Sequence, residues 1–169
     1  MFDINFSDSC DHNADSMSRK GWDHPEFMFS ANPGESLKSL AKVASGGELS
    51  RLMLALKCIL ARNDHVDTVI FDEIDAGISG KAAEAVAHKI KELSGHHQVL
   101  CITHLPQIAS FASVHFTVSK NVSGNRTHTS ISQLSEDMRV DELARMLDGE
   151  SVTEKTREYV LELITRNKK

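Results

Sequence analysis

The amino-acid sequence predicts an α/β fold, with a partly parallel sheet, flanking helices, and a C-terminal hairpin followed by two further helices. Three observations predict it. Thr68-Val69-Ile70-Phe71 and Val99-Leu100-Cys101-Ile102 are short unbroken apolar runs, the pattern of strands buried on both faces. Between them Ala82, Ala83, Val86, Ile90 and Leu93 recur at helical spacing, from about Gly80 to Leu93. Strand, helix and strand in that order form a right-handed βαβ crossover, which sets the two strands parallel.

The remaining elements follow from local patterning. Phe2 to Phe6 alternates apolar and polar residues as a half-buried strand does, and Ser7 to Lys20 reads as a loop or mobile insertion. Phe27-Met28-Phe29 is a second short strand, and Asn32-Pro33-Gly34 a turn. A helix opens at Ser45, where Ser45 and Glu48 have capping-box spacing. Leu49, Leu52, Met53, Leu56, Ile59 and Leu60 form its inner stripe, and it ends near Arg62. His115 to Ser119 and Thr127 to Leu134 flank the polar turn Asn121 to Asn125 as a hairpin. Val140, Leu143, Ala144 and Leu147 share one helical face with Gly149 past its end, and Ser151 with Glu154 opens the last helix.

The 169 residues, 40% hydrophobic and 25% charged, suffice for one domain over 1–169, with 1–25 as a strand plus loop or insertion. No apolar run reaches the roughly 20 residues of a membrane span, and the amino terminus lacks a secretion-signal layout, so a cytoplasmic location without a membrane partner is expected. Cys10, Cys58 and Cys101 are an odd number at wide spacing, which argues for reduced thiols. A formal charge of −5 gives no global attraction for nucleic acid.

Ligands of open parallel sheets bind at the carboxyl ends of the strands, and here the two runs end in Asp72-Glu73 and Thr103-His104. An apolar strand ending in Asp-Glu suits phosphoryl transfer, with the first carboxylate on Mg²⁺ through water and the second on the attacking water. A pair of merely solvated carboxylates is the plain alternative. Gly46 and Gly47 in a first helical turn cost roughly 1 kcal/mol each relative to Ala, yet bare N–H groups at a helix start admit a phosphate. The plain alternative there is a capped helix after a hinge. A P-loop requires Gly, four residues, then Gly-Lys-Ser/Thr. The single Gly-Lys pair, Gly80-Lys81, is followed by Ala82 and has Asp75 where the first glycine belongs, leaving Lys81 an ordinary solvent-facing residue.

In combination, Ser-Gly-Gly-Glu at a helix start, Asp-Glu after one apolar strand and Thr-His after another reproduce the order of parts in ABC-type ATPases. Val43-Ala44-Ser45-Gly46-Gly47-Glu48-Leu49-Ser50-Arg51, Phe71-Asp72-Glu73-Ile74-Asp75-Ala76-Gly77-Ile78-Ser79-Gly80 and Gln98 through Ala109 resemble the RecN family of bacterial DNA repair proteins, which are SMC-like ATPases. The resemblance runs from near Phe29 through Leu147. It implies the carboxyl-terminal lobe of an ABC/SMC-type ATPase head, with the P-loop lobe and coiled-coil arms outside this chain. It further implies that Ser45, Gly46, Gly47 and Glu48 meet the γ-phosphate of ATP held by an opposing head. Asp72 would serve Mg²⁺ through water, Glu73 would be the catalytic carboxylate, and His104 would sense the γ-phosphate. Many ABC relatives end the loop after Asp-Glu in Leu-Asp, whereas this chain has Ile78-Ser79; Asp75 and Ser79 are carried over as secondary nucleotide-side positions. The implied partners are the amino-terminal P-loop lobe, a second copy of the head as a homodimer, and DNA through the full-length protein. The implied role is ATP-driven double-strand break repair and recombination, with the fragment inactive alone.

Two other classes draw on parts of the sequence. A non-enzymatic DNA- or protein-binding module could use Lys120, Arg126 and the tail Arg166-Asn167-Lys168-Lys169, although scattered cations more often serve solubility. A stand-alone hydrolase lacks a serine or cysteine with an evident partner set. Cys101 and His104 invite a zinc reading, but Cys101 lies within the apolar run and no second ligand pair has zinc spacing. His96-His97 reads as an exposed turn after Gly95.

Overall fold

The computed structural model describes residues 1–7, 19, 21–30, 34–42, 45–61, 63, 65–123 and 126–167. The expected insertion after Ser7, apart from Arg19, lies outside the described residues, as do Asn32-Pro33, Arg62, the hairpin tip at 124–125 and Lys168-Lys169. The chain divides into two compact units, Met1–Leu49 and Ser50–Lys169.

In the first unit, strands β1 (Phe2–Ser7), β2 (His24–Phe29) and β3 (Lys38–Ser39) form an antiparallel sheet in that order. Period-two alternation sets the register Phe2↔Phe29 to Ser7↔His24. It places the Phe2 and Phe27 rings on one face, stacked 5.7 Å apart. A 3₁₀ turn at Leu40–Lys42 follows β3. Helix α1 (Gly46–Leu60) then starts in this unit and supplies its residues from Ser50 onward to the second.

The second unit contains the expected crossover. Strands β4 (Thr68–Phe71) and β5 (Gln98–Cys101) pair in parallel from Thr68↔Gln98 to Phe71↔Cys101, joined by helix α2 (Gly80–Ser94). Leu54 of α1 and Leu93 of α2 pack with Val69, Phe71 and Ile74 into one core. The strands are not buried on both faces as their sequence suggests: Ile70 is 65% and Leu100 45% exposed. Period-two alternation turns Val69 and Phe71 toward the helices, and these two helices supply cover on that face alone. His97 also departs from expectation. It is buried, with its Nδ1 2.6 Å from the Val66 carbonyl, because it enters β5 beside the segment that enters β4.

A short helix unforeseen in the sequence, α3 (Pro106–Ala109), has proline in its first turn and packs Ile108 against Ala83 and Ala87 of α2. Strands β6 (Phe116–Ser123) and β7 (Arg126–Gln133) make the hairpin, longer toward its tip than the sequence suggests. Helix α4 (Glu136–Asp148) is capped by the Ser135 side chain, which accepts from the Met138 N–H. It ends at Gly149, whose φ of 73° is the left-handed region that favours glycine. Helix α5 (Glu154–Asn167) begins two residues later than the capping pair suggests: Thr153, not Ser151, accepts from the third helical N–H, that of Thr156, at 3.2 Å. Leu143 and Ala144 of α4, Val160 and Ile164 of α5 and Ala109 of α3 close a second core. Leu143 is fully buried, so Leu143→Ala is expected to destabilise by about 2–5 kcal/mol in urea denaturation. Ile70→Ala should stay within about 0.5 kcal/mol.

Candidate functional site

Parallel pairing brings the carboxyl ends of β4 and β5 together, and the ladder extends one step further through the Ile102 N–H to the Phe71 carbonyl at 3.0 Å. Past that point the β4 segment folds into tight turns, with the Ala76 N–H donating to the Glu73 carbonyl and the Ile78 N–H to that of Asp75. Side chains then divide in location: Asp72 and Glu73 are exposed, while Ile74 and Asp75 are buried. Ile74, with no exposed surface, plugs the core beneath the loop. Glu73 has φ 57° and is the single non-glycine residue with positive φ among the described residues. Such a backbone costs on the order of 1–3 kcal/mol and persists where its surroundings hold it.

The holding groups come from α1. The Ser50 hydroxyl donates to the Asp72 carbonyl at 3.0 Å, and the Arg51 guanidinium to the carbonyls of Ile74 and Ala76 at 3.2 and 2.8 Å. These contacts were not foreseen. A serine and an arginine early in an amphipathic helix look like ordinary polar-face residues, and only the folded loop shows their acceptors.

Asp75 joins the two strand ends. Its Oδ2 accepts from the Thr103 hydroxyl at 2.6 Å and the His104 N–H at 2.8 Å, and lies 3.0 Å from His104 Nδ1. Burial pushes this carboxyl up, but the Thr103 hydroxyl, the His104 N–H and the imidazole charge outweigh it and hold it below the usual carboxylate range. The carboxylate is thus turned inward, whereas the His104 side chain is 74% exposed. Ser79 is exposed and extended just before α2, with no side-chain cap. Burial, aided by the negative charges of Asp75 and Asp72, pushes the Cys101 thiol up to about 12, which keeps it protonated and a poor metal ligand.

In the first unit, Ser45 caps α1 as its spacing suggests: its hydroxyl accepts from the Glu48 N–H at 3.2 Å and its carbonyl from the Leu49 N–H. The amides of Gly46 and Gly47 precede that first intrahelical bond, so they are donors the helix itself does not use. Among groups able to hold a divalent cation, Asp72 offers one exposed hard oxygen donor. That suits Mg²⁺, which keeps most of its waters and takes few protein ligands.

No protein-family model matches the chain. It is 51% identical over 144 residues to the DNA repair protein RecN of Halalkalibacterium halodurans, and 47% identical over 148 residues to that of Bacillus subtilis. These matches cover 85% and 88% of the chain, which spans about a quarter (26%) of the length of each curated relative. Among solved structures, the Smc head domain with a coiled coil and joint from Pyrococcus yayanosii superposes with a TM-score of 0.55 at 21% identity. It covers 84% of this chain and 25% of that one, and shows a shared head-domain fold.

The depressed Asp75 carboxyl binds a proton less readily folded than unfolded, so it contributes stability that is present above the unfolded value of about 4 and is lost as pH falls through the folded one. Acid titration of stability is expected to show a smaller fall below about pH 4 in Asp75→Asn than in the wild type. Superimposable acid limbs would contradict the assigned bonds.

Proposed function

The chain belongs to the RecN family of DNA repair proteins, and on that premise we propose that it is the carboxyl-terminal lobe of a split ATPase head. The observation that carries this reading is the strand-end arrangement. Asp72 and Glu73 stand exposed at the end of β4, with His104 at the end of the adjacent parallel β5, in an α/β frame shared with an Smc head. Phosphoryl transfer asks little covalent chemistry of a protein and much positioning, which suits a site built on strand ends and a tied loop.

In the proposed head, Glu73 orients the attacking water and accepts its proton, and His104 contacts the γ-phosphate. Ser45, Gly46 and Gly47, with Glu48 completing the cap, meet the γ-phosphate of ATP held by the opposing copy, where the start of α1 adds about half a positive charge. Asp72 holds Mg²⁺ through water, and that ion neutralises phosphate charge when bound. Asp75 and Ser79 lie on the flanking loop. The P-loop comes from an amino-terminal lobe, and the exposed apolar Ile70, Leu100 and Ile102 at the uncovered side of β4–β5 are where a further lobe gains most by docking. Two such heads form a homodimer, and the complete protein couples their closing and opening to DNA double-strand break repair and recombination in the cytoplasm. Among the described residues no helix is long and apolar enough to cross a membrane.

In the complete protein, Glu73→Gln should leave ATP binding intact, lower turnover about 10²–10⁴-fold and accumulate closed dimers on size exclusion. Ser45→Arg should prevent ATP-dependent dimerisation while nucleotide still binds. Normal turnover in Glu73→Gln refutes the role given to that residue.

A further inference from the structure

We propose that Asp75 is a positioning residue for His104: it selects the ring's Nδ1–H form and leaves Nε2 as the nitrogen that meets nucleotide or water. The inference rests on the ATPase-head reading for its consequence, but its geometry stands by itself. One oxygen of Asp75, in a side chain 4% exposed, receives both the backbone N–H of His104 and its ring nitrogen, at 2.8 and 3.0 Å. Two attachments from one residue to one acceptor restrict both the backbone and the ring, so the imidazole cannot turn freely although it is 74% exposed.

The acceptor is itself held. The Thr103 hydroxyl donates to Asp75 at 2.6 Å and accepts from the Leu105 N–H at 3.0 Å, which orients its single proton toward the carboxylate. From the other side, Asp75 belongs to the loop that Arg51 ties down through the carbonyls of Ile74 and Ala76, on either side of it. A carboxylate below its usual range accepts only, so the imidazole nitrogen facing it must carry a proton. Neutral, the ring then presents a lone pair at Nε2, able to accept from water; doubly protonated, it presents Nε2–H, able to donate to a phosphate. Asp75 is therefore coupled to the site through His104, and Glu73, two residues earlier, shares the same loop.

Nitrogen-15 NMR of the imidazole in the wild-type chain, above the ring's titration, reads the tautomer directly. The Nδ1–H form is expected to dominate and to give way to Nε2–H in Asp75→Asn, whose amide can donate to Nδ1. In the complete protein Asp75→Asn is expected to lower kcat for ATP hydrolysis about 10–100-fold, on the scale found for partners that orient metal-ligating histidines. KM should stay within about twofold. A wild-type ring in the Nε2–H form, a tautomer indifferent to Asp75→Asn, or unchanged turnover in that variant where His104→Ala lowers turnover, would overturn the proposal. His104→Ala separates this from the underlying reading: undiminished turnover there sinks the ATPase-head role of His104, while the tautomer still decides the coupling.

Discussion

Parallel pairing of β4 with β5 is the constraint on which the candidate site depends. Because the strands run the same way, their carboxyl ends fall on one edge, and Asp72-Glu73 and Thr103-His104, far apart in sequence, both follow that edge. A parallel pair requires a crossover, and α2 provides it while burying Leu93 against Val69 and Phe71. One packing event therefore builds core and site together. The loops beyond the strands need separate support, which comes from Asp75 between them and from Ser50 and Arg51 on α1.

Among the described residues of the second unit, the β4–β5 pair is covered on one side. Ile70, Leu100 and Ile102 remain exposed, an arrangement unusual for parallel strands, which are ordinarily covered on both faces. Within the proposed head, another lobe would both cover this face and supply the P-loop. The strained Glu73 backbone fits the same view, since strain held by surrounding bonds is found where a side chain must be presented in a set direction.

Much of this was legible in the chain itself. Apolar runs identified β4 and β5, spacing identified α2, and the capping pattern located the start of α1, because each depends on residues close in sequence. Burial on both faces is not readable from the runs, because Ile70 and Leu100 are apolar whether or not anything covers them in this chain. His97 has the sequence context of a turn residue, and only its acceptor on the segment before β4 accounts for its burial. The start of α5 was displaced because Ser151 and Thr153 both have serviceable partners three residues on, and local patterning does not choose between them. The strand-end residues were readable as a set; the inward turn of Asp75 and the ties from Ser50 and Arg51 were not, since they depend on three-dimensional pairing.

The most direct measurement is steady-state ATP turnover of this chain alone, of a separately prepared amino-terminal P-loop lobe alone, and of the two together. Negligible turnover from each and clear turnover from the mixture, abolished by Glu73→Gln in this chain, is the expected result. Turnover from this chain alone, or a mixture that associates and binds ATP yet hydrolyses none, would contradict the account.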